Sequence, residues 1–162
     1  MFLKKLKNNK GMSAIIYVFI MLICIYIFAF IIDMIAINQT KYLAIREAAF
    51  VARVAGRQGG FESSKPQYYD NSEPYITGPR MIQILTKAFN TNNINSWEVT
   101  VNGRSLYTNT VSNFQNDMNV RLSVSYKWGF LPKVLPMSPT GNFSVKHLVK
   151  SERFVRYEEY QE

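Results

Sequence analysis

Residues 12–32 read MSAIIYVFIMLICIYIFAFII, and this run decides how the rest of the chain is organised. It holds no charged residue, and Ser13 is its only aliphatic hydroxyl. A hydrocarbon core about 30 Å thick is crossed by roughly 20 apolar residues of helix, because each residue rises about 1.5 Å. The run meets that length and shows no polar stripe at the helical period, unlike the amphipathic helix of a soluble domain. Backbone groups in lipid must be satisfied within the segment, so a single span is a helix despite its many Ile and Phe residues. We therefore read 12–37 as a transmembrane helix.

Lys4, Lys5, Lys7 and Lys10 precede the run with no acid among them, whereas Asp33 and a mixed-sign stretch from Lys41 follow it. Lysine bias beside a span keeps that side cytoplasmic. These four residues predict a single-pass protein of the cell membrane with a cytoplasmic N-terminus and an extracytoplasmic body, so membrane lipid is its first partner. They also supply half of the formal net charge of +8. The remaining charge is scattered, and no nucleic-acid partner is expected. The run exceeds the roughly 7–15 apolar residues of a cleaved signal peptide, and DMIAINQTKY after it has no small-residue cleavage pattern. The span is expected to be retained. Asp33 at its outer end can reach water by local adjustment; the other reading pairs it with a charge on a neighbouring helix.

Beyond the membrane, NQTKYLAIREAAFVARVAGRQGG has no proline, and its first glycine is Gly56. Tyr42, Ile45, Ala49, Ala52 and Gly56 follow spacings of three and four, so they share one helix face. The face narrows to small residues that let another helix or a sheet approach closely. Residues 38–58 are thus an exposed continuation of the helix, closed by Gly59-Gly60 with Arg57 at the negative end of the dipole. Either one rod of about 70 Å runs from Met12 to Arg57, or two helices meet at a kink near Asn38.

Residues 59–162 are left for one small head. Phe61 to Ile76 is a loop whose Tyr68, Tyr69 and Tyr75 either form a contact surface or pack the loop down. Thr77-Gly-Pro-Arg then opens an amphipathic helix with Met81, Ile82, Leu85, Ala88 and Phe89 on its apolar face. Trp97, Val99 and Val101 alternate with polar residues before Asn102-Gly103, a hairpin turn pair, and a return strand is expected around Ser105 to Thr110. Val120, Leu122, Val124 and Tyr126 make the clearest strand. GFLPKVLPMSPTGN, with three prolines, cannot be a central strand. Phe143, Val145, His147 and Val149 mark a last strand. The fold class is α+β: a long N-terminal helix, then an amphipathic helix packed on a small, mostly antiparallel sheet of three to four strands.

Little in the chain points to catalysis. The only cysteine, Cys24, lies in the apolar run, and the only histidine, His147, lies in an alternating strand. No nucleophile elbow, phosphate-binding glycine loop or calcium-loop spacing occurs, so neither an enzyme nor a cofactor or metal site is expected.

This layout resembles that of type IV pilin-like proteins, which have a short basic leader ending in glycine, a hydrophobic helix and a small α+β head. KKLKNNKG supplies the leader over 1–11, and the resemblance implies that a prepilin peptidase cuts after Gly11 to leave Met12 as the new N-terminus. REAAFVARVAGRQGG, the strand VRLSVSYKW leading into GFLPKVLP, and the terminal ERFVRYEEY look more specifically like the TadE-like minor pseudopilins of tight-adherence systems. They are also similar to related proteins of Gram-positive conjugative elements. Pilins of this kind carry a glutamate five residues into the processed chain, followed in the tight-adherence subgroup by tyrosine. Here Ile16 stands in the acid's place and Tyr17 matches. The resemblance implies a structural subunit of an adhesion, secretion or conjugation apparatus, or of a surface filament. Tyr17 would then belong to the packing helix, with other pilin-like subunits and assembly-platform proteins as partners. The alternative is a permanently anchored binding module outside any filament.

Overall fold

A computed structural model describes residues 10–66, 69, 74–90, 94–134 and 139–153. Lys4, Lys5 and Lys7 of the leader, Tyr68 of the tyrosine loop and the terminal FVRYEEY lie outside the described residues.

The first helix, α1, runs unbroken over Lys10–Gln58, 49 residues, so the rod reading holds and no kink interrupts it at Asn38. Its end is chemically defined. Gly59 has φ of +77°, and the Gly60 N–H bonds back to the Ala55 carbonyl at 2.9 Å, closing the helix in a Schellman arrangement. The Gln58 side chain then ties this end to the segment before the second helix. Its Nε2 donates to the Gly60 and Ile76 carbonyls at 2.7 and 2.8 Å, and its Oε1 accepts from Ile76 N–H.

The second helix, α2, spans Gly78–Ala88 and is capped by Thr77, whose hydroxyl accepts from Arg80 N–H. Met81 and Leu85 are fully buried, and Phe89 packs on Trp97 with ring centroids 5.5 Å apart. The amphipathic helix thus lies where the sequence pattern places it, against the sheet's first long strand.

Four strands follow: β1 (Ile94–Val101), β2 (Arg104–Ser105), β3 (Asp117–Lys127) and β4 (Thr140–Lys150). They form one antiparallel sheet in the order β2-β1-β3-β4. Asn102 and Gly103 both have positive φ, 52° and 76°, as the hairpin turn requires. The return strand is shorter than expected. Only Arg104 and Ser105 pair, and the chain then turns, with Thr108 donating from N–H and hydroxyl to the Ser105 carbonyl. Between β3 and β4 a four-residue helix, α3 (Leu131–Val134), occupies the proline-rich connection.

One face of the sheet carries Val99, Val101, Met118, Val120, Leu122 and Val124, all buried, and α1 lies across it. The buried positions of α1 are Ala29, Asp33, Thr40, Ala44, Glu47, Ala48, Val51, Ala52, Ala55, Gly56 and Gln58, a continuous stripe at helical spacing. Small residues bring helix and strand close. A methyl group on Gly56 would meet the Lys150 carbonyl oxygen at 3.3 Å, and Glu152 N–H bonds to the Gly56 carbonyl. The head therefore does not begin where the span ends. It is laid along α1 from Ala29 upward, overlapping the 12–37 segment.

Candidate functional site

Two surfaces carry functional information: the naked part of α1, and the place where the head closes onto it.

From Ser13 to Ile35 nearly every residue of α1 is exposed, and the helix is long and apolar enough to cross a membrane. Tyr17 is 68% exposed, and Ile16 beside it is also exposed. Helical backbone already covers Gly11 and Met12, the expected cleavage point, and Lys10 starts the helix. An apolar surface of this extent cannot face water as it stands; it suits lipid or the helices of partner chains.

The expected packing stripe of the outer half divides between two directions. Ala52 and Gly56 are buried against the chain's own sheet. Tyr42 is 73% exposed and Ile45 is 38% exposed, so these two face away from the head, whereas Ala49 is half-buried at its edge, beside a hollow it shares with Ile84 of α2. Lys41, Arg46, Arg53 and Arg57 are exposed as well. The outward side of this half is thus a mixed aromatic, aliphatic and basic surface.

Asp33 is where the head closes. The residue is 1% exposed, and its carboxylate faces the connection between β3 and β4. Oδ1 accepts from the N–H groups of Gly129 and Phe130 at 3.0 and 2.9 Å. Oδ2 accepts from Phe130 and Leu131 at 3.1 and 2.7 Å. Three consecutive N–H groups at the entrance to α3 thus converge on one carboxylate. About one helical turn earlier, Phe30 stacks on Trp128 with centroids 5.7 Å apart and planes inclined by 29°. Lys133 Nζ stands 5.0 Å from the Phe130 ring centre. Neither sequence reading of Asp33 describes this arrangement: the acid turns to neither water nor another helix, but to a loop almost a hundred residues later in the chain. A signal for it exists in hindsight. Trp128-Gly129-Phe130 offers no Ser, Thr, Asp or Asn to cap α3, so its first N–H groups need an acceptor from elsewhere.

Of the loop tyrosines, Tyr69 and Tyr75 pack inward. Tyr69 is buried, meets Tyr75 edge-on at 4.7 Å and carries the Arg153 guanidinium 3.6 Å above its ring. The Tyr75 hydroxyl accepts from Glu62 N–H. On β4, His147 sits opposite Val120, and its buried Nε2 has no hydrogen-bond partner. No three His, Cys, Asp or Glu residues converge as metal ligands among the described residues. The face of the sheet turned away from α1 is polar and open, lined by Ser96, Glu98, Arg121, Ser123, Asn142 and Ser144.

No family model matches the sequence, and no characterised protein or solved structure matches it either.

Proposed function

We propose that this protein is a minor pilin-like subunit of a bacterial adhesion, secretion or conjugation apparatus. In this reading it is held in the cell membrane by α1, with its N-terminus cytoplasmic and its head extracytoplasmic. The observation that carries it is a single unbroken helix, apolar and uncovered in its first half and clad on only one side in its second. Such a helix serves as anchor and assembly element at once. Its lower half packs in lipid or among other spans, while Tyr42 and Ile45 meet the helix of a neighbouring subunit. Assembly-platform proteins and a prepilin peptidase acting after Gly11 complete the expected partners.

The test is the mass of the mature chain purified from its host, together with its co-purification with filament or apparatus components. A chain that begins at Met12 and co-purifies with them supports the reading. An intact leader on a protein absent from every such fraction refutes it.

Ile16, where an assembling pilin carries an acid, favours a second reading: a permanently anchored module that presents its head without joining a filament. The open polar face of the sheet would then be the recognition surface. Charged substitutions at Tyr42 and Ile45 separate the two, because they disrupt helix-mediated assembly and leave a solitary module indifferent. Ala52→Leu is not a clean discriminator, since Ala52 lies in the head's own core.

A further inference from the structure

We propose that residues 128–134 form a second membrane contact, a loop seated at the headgroup–acyl boundary of the leaflet from which α1 emerges. The proposal rests on the reading of α1 as a span and adds to it a depth and a surface for the head.

Depth comes first. The uncharged run ends at Ile32 and has the roughly 20 residues that cross the hydrocarbon, so the outer edge lies there and residues 33–37 of the transmembrane segment pass through the headgroup layer. Phe30 and Asp33 flank that edge within about 3 Å along the axis. Trp128 stacks on Phe30, and Gly129, Phe130 and Leu131 donate to Asp33, so the loop is held at the same level.

The backbone of the loop suits that level. Trp128 N–H bonds to the Pro139 carbonyl, the next three N–H groups bond to Asp33, Pro132 has none to offer, and Lys133 N–H bonds to the Phe130 carbonyl. From Trp128 to Lys133 no backbone donor needs water, the condition a non-helical segment must meet near lipid. Asp33 is the device that achieves it: the one carboxylate at this level is consumed internally and presents no charge to the bilayer.

The side chains fit the same place. Phe130 is 48% exposed, and Trp128 and Leu131 are half-exposed. Tryptophan favours the membrane–water boundary, and lysine reaches from there toward headgroup phosphates. Lys127 and Lys133 are exposed at the two ends of this segment, which contains no acid. Aromatic and aliphatic groups flanked by two lysines match the outer-leaflet boundary and have no evident use in water.

The chain has two tryptophans, Trp97 in the head core and Trp128 in the loop, which makes the test direct. Full-length protein carrying Trp97→Phe is reconstituted in phosphatidylcholine–phosphatidylglycerol vesicles with and without brominated acyl chains. Trp128 should lose roughly half or more of its emission to bromine, as a boundary-seated ring would. In the reciprocal Trp128→Phe protein, Trp97 should lose none. Cys24, the only cysteine, reports separately on the span through its protection from an aqueous maleimide. A protected Cys24 with unquenched Trp128 overturns the loop contact and leaves the span standing. Labelling of Cys24 without detergent overturns both. Trp128 that is unquenched by bromine yet shielded from acrylamide in a cross-linkable oligomer also overturns the proposal, and assigns the surface to a second copy.

Discussion

Replacing Asp33 with alanine should release the 128–134 loop while leaving the sheet intact. The carboxylate takes three N–H donors in a site 1% exposed. A hydrogen bond to a charged group contributes about 1.5–3 kcal/mol, and a buried donor left bare costs about 1–3 kcal/mol. Three donors would thus lose about 5 kcal/mol if the loop stayed in place. The loop does not have to stay. Against departure stand the Phe30–Trp128 stack, worth about 0.5–1.5 kcal/mol, and the burial around Ala29. Undocking is therefore the cheaper response, and the docked population should fall by about two orders of magnitude or more. Amide hydrogen exchange on the detergent-solubilised protein reads this directly. Gly129, Phe130 and Leu131 should be protected in the wild type and exchange near the free rate in Asp33→Ala, with Val120 and Leu122 of β3 unchanged. Asp33→Asn, which keeps one acceptor oxygen, should fall between. Unchanged protection at 129–131 in Asp33→Ala would refute the reasoning, because something other than the carboxylate would then hold the loop. Equal loss in β3 would also refute it, by showing that the loop and core open as one unit.

Gln58→Ala removes three hydrogen bonds from a buried side chain and should cost about 1–3 kcal/mol in denaturant unfolding of the head, with new exchange at Ile76. His147→Phe should be neutral or stabilising by about 1 kcal/mol, since the buried Nε2 has no partner to lose; a clear loss of stability in the same measurement would contradict that assignment. Ala52→Leu should destabilise by about 1–3 kcal/mol through overpacking between α1 and the sheet, read as a lowered midpoint of unfolding. Tyr42→Asp with Ile45→Asp should leave that midpoint within about 0.5 kcal/mol, because both side chains face outward, while lowering recovery in any filament or apparatus fraction.

Local rules made most of the elements legible. Continuous apolar character and late glycines specify α1, a threonine cap with proline specifies α2, and Asn102-Gly103 with alternation on either side specifies the sheet. Which side of α1 the head covers was harder to read, for a definite reason. Tyr42, Ile45, Ala49, Ala52 and Gly56 are periodic, but so are Thr40, Ala44, Glu47, Val51 and Ala55. Periodicity fixes the spacing of a face and leaves its azimuth free. Glu47 and Thr40 disguised the buried side as a polar one. Glu47 tolerates its position because its carboxylate reaches out to the Arg46 guanidinium, and Thr40 because its hydroxyl returns to the Ala36 carbonyl. The Asp33 site was illegible for another reason. Its partners lie 96 to 98 residues away and are backbone groups, whose one trace in the sequence is the missing cap residue at 128–130, a sign that an acceptor is needed but not of which one. Beyond Ser105 the chain turns, with Thr108 bonded back to the Ser105 carbonyl and Leu106 fully buried, so β2 ends after two residues.

The unbroken α1 has a mechanical consequence. The head grips it from Ala29 to Gln58, and the same helix continues without a break into its uncovered apolar half. The azimuth of the head is therefore tied to that of the lower end through helical backbone alone. Inserting one residue between Ile16 and Phe28 would turn the head by about 100° relative to everything below and lift it by about 1.5 Å. The spacing between the first turns of α1 and Ala29 therefore works as an angular gauge, setting the azimuth of the head relative to the uncovered half of the helix.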